Sequence, residues 1–172
     1  QELGADQGQV FLSTNKVEPV ELAMMYNAVD FTINISDAEG FGLATLESLS
    51  CGTPIIVNMT GGLQEQVTDG TDWFGWGIQP SSRSVIGSLQ VPYIYEDRIN
   101  QDEFESVLTK ALNISPKAYK KMSIKGKEHV RENYNFETLE KRWVETMDSI
   151  IEKHGSWETR KGYKRWHLLE VA

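Results

Sequence analysis

The sequence predicts an α/β fold: a parallel sheet with helices on both faces. Three observations support this prediction. Short apolar runs of the kind that form buried strands occur at 10–12, 31–35 and 55–57. Helical patterns separate these runs, and their length suits crossovers between parallel strands. Turn residues bound each run, so the order strand, helix, strand, helix, strand follows, and a parallel sheet of this kind is covered on both faces.

The first helices are predicted from their boundary residues. Pro19 suits a first helical turn, and the apolar residues after it continue to about Ala28. A second helix begins near Gly42 or Leu43 and is ended by Gly52 and Pro54. A short third helix begins after Gly61-Gly62 and ends at Asp69-Gly70.

Residues 71–100 show no sustained period of either kind and are predicted to form an irregular aromatic insertion. A connection longer than about 15 residues is unusual in a compact domain and is often functional. Its aromatic residues stand among Gly, Ser and Pro: Trp73, Phe74, Trp76, Tyr93 and Tyr95.

The last third of the chain is predicted to be helical. Amphipathic helices are expected at 101–112, from Ser115-Pro116 toward Val130, and at 136–153, the last with one buried apolar stripe. Residues 1–153 are thus predicted to form the α/β domain, and 154–172 a separate tail. The basic residues of this tail are Arg160, Lys161, Lys164 and Arg165.

Composition narrows the function. The chain has 172 residues, 40% of them hydrophobic, and a net charge of −8, which argues against a general nucleic-acid binder. Its single cysteine excludes an internal disulfide, and its three histidines lack metal-ligand spacing.

No apolar run approaches the ~20 residues of a membrane span, and no signal pattern is present, so a cytoplasmic protein is predicted. Because a buried strand is expected within the first residues, we also expect an N-terminally truncated fold.

Glu39 and Glu47 flank the start of the second predicted helix. Glu39 lies on the preceding loop, and Glu47 lies one turn inside, about 6 Å further along the axis. Their carboxyl groups would then be on the order of 10 Å apart, too far for the ~5 Å pair of a retaining glycosidase. The wider separation of an inverting glycosidase stays open, but it gives the amide groups between the carboxylates no role.

The helix start between the two glutamates suits an anion. Free N–H groups at a helix N-terminus, approached through two glycines, attract phosphate. Ionised carboxylates accept hydrogen bonds from vicinal hydroxyls and therefore suit sugars. The order carboxylate, N–H groups, carboxylate matches the order sugar hydroxyls, diphosphate, ribose hydroxyls. This match favours a nucleotide diphosphate sugar as ligand. Simple helix capping, in which acidic residues near a helix start favour its dipole, is the alternative.

The stretch EGFGLATLE resembles the signature of GT-B glycosyltransferases in which seven residues separate two glutamates, especially glycosyltransferase family 4 and the glycogen-synthase-like group. The resemblance continues in register through residues 21–70, and YNFETLEKRW resembles the closing helix of that family. It implies a Rossmann-like domain, the C-terminal half of a GT-B fold, that binds the donor.

The resemblance also implies roles for individual residues. Glu39 would be the catalytic residue, contacting donor-sugar hydroxyls near the reacting centre without acting as a nucleophile, and Glu47 would hold the ribose hydroxyls. Retaining transfer without a metal is implied, from a UDP-, GDP- or ADP-sugar. The other implied contacts are Gly40, Phe41, Gly42 and Leu43 for the sugar or diphosphate, and Thr14, Asn15 and Lys16 for the nucleobase.

The same resemblance implies partners. The phosphate clamp of the family lies upstream of this sequence, and the acceptor-binding N-terminal domain is absent from it, so we expect no turnover by this chain alone. The tail at 154–172 is expected to dock on that domain in preference to a membrane surface. The acceptor, whether glycan, lipid or protein, stays open. The alternatives are a GT-B-type sugar-nucleotide epimerase and a non-catalytic nucleotide-sugar binding module.

Overall fold

A parallel three-stranded sheet organises the first part of the chain in the computed structural model, which describes residues 10–162. Helices cover the sheet, and a two-stranded antiparallel hairpin follows it. The elements are α1 (Pro19–Ala28), β1 (Thr32–Asn34), α2 (Leu43–Cys51), β2 (Ile55–Asn58), α3 (Leu63–Val67), β3 (Gly75–Ile78), β4 (Ser82–Ile86), β5 (Ile94–Arg98), α4 (Gln101–Leu112), α5 (Pro116–Asn133) and α6 (Phe136–His154).

The central strand β2 forms the core of the sheet. It pairs in parallel with β1, where Thr32 lies opposite Ile55, and with β3, where Trp76 lies opposite Ile56. All of its residues are buried, as expected of a central parallel strand that is covered on both faces.

Helices pack on both faces of the sheet and confirm the predicted α/β class. On one face, Ile56 and Ile78 form a cluster with Val107 and Ala111 of α4. Helices α2 and α3 contact β2 and bury their own apolar residues. The buried apolar side chains of these two helices are Leu46, Leu49, Leu63 and Val67.

The prediction of a strand at 10–12 is wrong. Val10, Phe11 and Leu12 belong to no strand, and Phe11 and Leu12 are 87% and 89% exposed. A three-residue apolar run becomes a strand only where a neighbouring strand takes up its backbone hydrogen bonds. The third strand of the sheet is instead β3.

The prediction of an irregular segment at 71–100 is also wrong, because this segment contains three strands. Strand β3 has the sequence Gly-Trp-Gly-Ile, and its glycines hide the alternation that indicates a strand. A Cβ at Gly75 would lie 1.8 Å from the backbone oxygen of Ile55, so packing against β2 requires glycine there. Strands β4 and β5 form the antiparallel hairpin, in which Arg83 lies opposite Asp97 and Val85 opposite Tyr95.

The predicted helices of the last third are confirmed. Asn100 caps α4 by accepting a bond from the Glu103 N–H, and Asn135 caps α6 by accepting one from the Thr138 N–H. The buried stripe expected on α6 is not found, because no residue of this helix is buried. A periodic stripe predicts which face of a helix is apolar but not whether that face is covered. The stripe residues Phe136, Leu139, Trp143, Met147 and Ile150 are between 48% and 77% exposed.

The chain divides into two compact units, one up to Lys127 and one from Glu128 onward. This division falls inside α5, whereas the predicted domain boundary after residue 153 lies one residue before the end of α6. In the tail, the Arg160 guanidinium stacks 3.6 Å from the ring centre of Trp157, while Lys164 and Arg165 lie outside the described residues. None of the helices within 10–162 is long and apolar enough to cross a bilayer.

Candidate functional site

The loop that carries Glu39 leaves the carboxyl end of β1 and leads into α2. Open parallel sheets bind their ligands at this end. Gly42 is the N-cap residue of α2 with φ +83°, a left-handed conformation that favours glycine. A Cβ at Gly42 would also lie 2.6 Å from Cδ2 of Leu63. The glycine therefore allows both the sharp entry into α2 and the close approach of α3.

The turn after β2 packs directly on the Glu39 loop. The Gly62 N–H donates to the Glu39 carbonyl oxygen at 3.3 Å. A Cβ at Gly61 would lie 1.7 Å from that oxygen, and one at Gly62 would lie 2.9 Å from the carbonyl oxygens of Gly40 and Phe41. The sequence indicated the two glycines only as the start of a helix; in the structure they also support the candidate site.

A buried glutamine completes this support. The Gln66 side-chain amide donates to the carbonyl oxygen of Phe41, and its own oxygen accepts a bond from the Thr45 hydroxyl. That hydroxyl lies 2.7 Å from the Gly42 carbonyl oxygen. The loop carbonyls thus bond toward α3 and the interior of α2. The first N–H groups of α2 have no acceptor within the helix and are suited to an external anion.

The two glutamates lie on either side of the α2 start, as predicted. Glu39 is half-buried on the loop, and Glu47 is exposed one turn inside α2. Of the residues predicted to contact the sugar or diphosphate, Gly40, Phe41 and Leu43 are exposed while Gly42 is buried. The structure brings all of these residues together at one end of the sheet.

Tyr26, on α1, contacts the candidate site, which the sequence analysis did not predict. Its hydroxyl donates to Oε2 of Glu47 at 3.0 Å. Burial, reinforced by the bond to Glu47 and the negative charge of Glu47, raises the pKa of Tyr26 to about 12. No short-range pattern could have revealed this pair, because 21 positions separate the two residues.

We expect Tyr26 to ionise near pH 12 in an ultraviolet difference titration of the wild-type chain against Tyr26→Phe. A folded-state pKa above the ordinary value of 10.0 stabilises the fold fully below pH 10, and this contribution is lost as the pH rises through about 12. Glu47→Gln should lower the Tyr26 pKa only in part, because burial is the larger cause. Ionisation of Tyr26 near pH 10 in the wild-type chain would contradict the Tyr26–Glu47 contact.

The predicted nucleobase loop lies outside this cluster of contacts. Thr14, Asn15 and Lys16 are exposed in the irregular segment before α1. Their role in binding a base stays a prediction.

Hairpin β4–β5 reaches the same end of the sheet through charged residues that the sequence analysis did not single out. Arg83 Nε lies 2.7 Å from Oδ1 of Asp97, and Arg98 Nη1 lies 2.9 Å from Oδ2 of Asp37. The hydrogen bond from Arg83, followed by that from the Thr60 hydroxyl, lowers the pKa of Asp97. The Asp97 carboxylate in turn raises the pKa of Arg83. Recognition of the hairpin would have predicted Arg83 and Asp97 as a cross-strand pair.

Sequence comparison identifies a family. A family model described as "Glycosyl transferases group 1" matches residues 2–129. The D-inositol 3-phosphate glycosyltransferase of Streptosporangium roseum is 50% identical over 50 residues, covering 29% of this chain and 12% of that protein. D-inositol 3-phosphate glycosyltransferase 2 of Catenulispora acidiphila is 41% identical over 84 residues, covering 47% of this chain and 20% of that protein.

A longer alignment exists with the alpha-1,3/1,6-mannosyltransferase ALG2 of Kluyveromyces lactis, which is 25% identical over 165 residues, 96% of this chain and 29% of that protein. The chain thus spans less than a third of the length of these relatives. Among solved structures, the sucrose-phosphate synthase of Thermosynechococcus elongatus superposes with a TM-score of 0.60 at 21% identity, covering 81% of this chain and 30% of that one. This likeness confirms the Rossmann-like fold of the GT-B type.

Proposed function

Because the chain belongs to the group 1 glycosyltransferase family, we propose that it is the donor-binding part of an enzyme that transfers a hexosyl group from a nucleotide diphosphate sugar to an acceptor. Transfer proceeds with retention and without a metal in this proposal. The observation that carries it is the arrangement of the α2 start. Glu39 and Glu47 flank its N–H groups, while the loop carbonyls of Glu39, Phe41 and Gly42 bond to the protein.

Each part of the donor has a matching group. The diphosphate lies at the α2 start, where backbone N–H groups from Gly40 to Leu43 and the helix dipole favour negative charge. Glu39 accepts hydrogen bonds from the donor sugar and stabilises the reacting centre without becoming a nucleophile. Glu47 accepts hydrogen bonds from the ribose hydroxyls through Oε1, because Oε2 is bonded to Tyr26. Thr14, Asn15 and Lys16 contact the base.

The relatives support the reaction class and leave the substrates open. Their names describe glycosyl transfer in two cases and mannosyl transfer in the third. Mannose is a hexose, which supports a hexosyl donor here. The base of the donor and the nature of the acceptor, whether glycan, lipid or protein, are not assigned.

The acceptor half belongs to a further domain in this proposal. The relatives are more than three times as long as the part that this chain matches. The exposed apolar face of α6 and the segment 154–172 dock on that domain, in preference to a membrane surface. Incubated alone with donor and acceptor, this chain should therefore show no transfer. Robust turnover would contradict the proposal that a further domain binds the acceptor.

The donor site is tested by thermal-shift measurements and calorimetry with UDP, GDP, ADP and their hexose conjugates. A ligand present at a hundred times its Kd stabilises the folded chain by about 2.7 kcal/mol. We expect one base to stabilise clearly more than the others, and its sugar conjugate to bind at least as well as the free diphosphate. Unchanged melting temperatures with the whole panel would count against the assignment of the site.

A further inference from the structure

Asp97, on strand β5, joins the hairpin to both loops of the candidate site. Its backbone N–H donates to the Asp37 carbonyl oxygen at 2.7 Å. Its backbone carbonyl accepts a bond from Nδ2 of Asn58, also at 2.7 Å, and the same Nδ2 donates to the Ser36 carbonyl oxygen at 3.0 Å. One residue of the hairpin is thus bonded to the ends of both β1 and β2.

The Asp97 side chain makes a second set of bonds. Its Oδ2 accepts from the Thr60 hydroxyl at 2.9 Å, and Arg83 contacts the two carboxylate oxygens at 2.7 and 3.2 Å. Asp97 is only 7% exposed. A buried carboxylate is costly unless it is paired, and here both oxygens have partners.

The partners of Asp97 lie next to the residues that set the Glu39 loop. Asp37 lies in that loop, two positions before Glu39. Thr60 directly precedes Gly61-Gly62, the turn that packs on the Glu39 carbonyl. The carboxylate of Asp97 therefore holds the turn, while its backbone holds the start of the loop.

We propose that Asp97 is a positioning residue. Its bonds hold the Glu39 loop against the end of the sheet and thereby set the position of the Glu39 carboxylate. This inference rests on the proposed function, since the loop is argued to hold the donor sugar. It assigns the hairpin β4–β5 a part in the site, although none of its residues was predicted to contact the donor.

The first test needs no ligand. Hydrogen exchange is measured peptide by peptide in wild-type chain, in Asp97→Asn and in Thr60→Val, a change of similar volume that leaves the Arg83–Asp97 pair intact. We expect exchange of the Gly62 amide, which donates to the Glu39 carbonyl oxygen, to become about tenfold faster in both variants, because a bond to a charged group is lost. Exchange at 55–58, in the central strand, should stay unchanged.

Two further variants distinguish a specific effect on the Glu39 loop from a general loss of stability in the hairpin. Thr60→Ser keeps the hydroxyl and should restore the wild-type exchange of the Gly62 amide. Tyr95→Ala removes an exposed hairpin side chain that lies opposite Val85, and it should leave that exchange unchanged. If Asp97→Asn does not fold, the comparison of Thr60→Val with Thr60→Ser decides alone. Wild-type exchange of the Gly62 amide in a folded Thr60→Val would overturn the proposal.

The second test uses the nucleotide hexose that wild type binds best. Thr60→Val should weaken its binding about tenfold and weaken binding of the free nucleoside diphosphate less, since the diphosphate also meets N–H groups inside α2, which the displaced loop does not carry. Equal losses for both ligands, or no loss, would overturn the positioning role. Absence of any binding by wild type would count against the proposed function instead, whereas hydrogen exchange still decides whether Asp97 holds the loop.

Discussion

Gly61→Ala is expected to destabilise the chain by about 3 kcal/mol and to abolish nucleotide binding. The added Cβ would lie 1.7 Å from the Glu39 carbonyl oxygen, and the residue has φ +47°, a left-handed conformation that costs any other residue free energy. The clash can be relieved only if the turn after β2 moves away from the Glu39 loop, and the strain of the positive φ adds to its cost. Urea unfolding measures the loss of stability, and calorimetry with the preferred nucleotide measures the loss of binding.

Two glycines of the same chain serve as matched controls. Gly70 has φ +89° with no atom within 4 Å of a built Cβ, so Gly70→Ala measures the backbone strain alone, about 1 kcal/mol. Gly40 has neither a positive φ nor a neighbour within 4 Å, so Gly40→Ala should leave stability almost unchanged. If Gly61→Ala loses no more stability than Gly70→Ala, the close contact between the two loops is wrong.

Glu39→Gln and Glu47→Gln are expected to weaken binding through different parts of the donor, the sugar and the ribose respectively. Loss of a hydrogen bond to a charged group costs about 1.5 to 3 kcal/mol, tenfold or more in affinity. Glu39→Gln should therefore weaken binding of the nucleotide hexose at least tenfold and spare the free nucleoside diphosphate. Glu47→Gln should weaken both ligands equally, because both carry the ribose.

Glu39→Gln is expected to have a larger effect on transfer than on binding. In a chain that carries the acceptor half, Glu39→Gln should lower kcat by about a hundredfold, since electrostatic stabilisation of the reacting centre is lost. Glu105→Gln removes an equal charge from the exposed face of α4 and serves as the control, with binding and transfer unchanged. Full transfer activity in Glu39→Gln would favour a non-catalytic role for this residue.

Local patterns predicted most helices and the site loop because their signals lie within a few residues. Pro19 at the start of α1, Gly52 after α2 and Ser115-Pro116 at the start of α5 act on their own neighbours. Strand β3 was missed for the opposite reason. Its glycines are required by the close backbone of β2, and they remove the side-chain alternation by which a strand is recognised.

The sequence by itself determined the α/β class, the loop between β1 and α2, and the spacing that sets Glu39 and Glu47 on either side of a helix start, because helix geometry converts spacing directly into position. Only the tertiary structure decided which groups support that loop. Gly61, Gln66, Tyr26 and Asp97 come from other elements, 13 to 58 positions from Glu39 in the sequence. Bonds of this kind depend on how strands and helices pack, which no local pattern records.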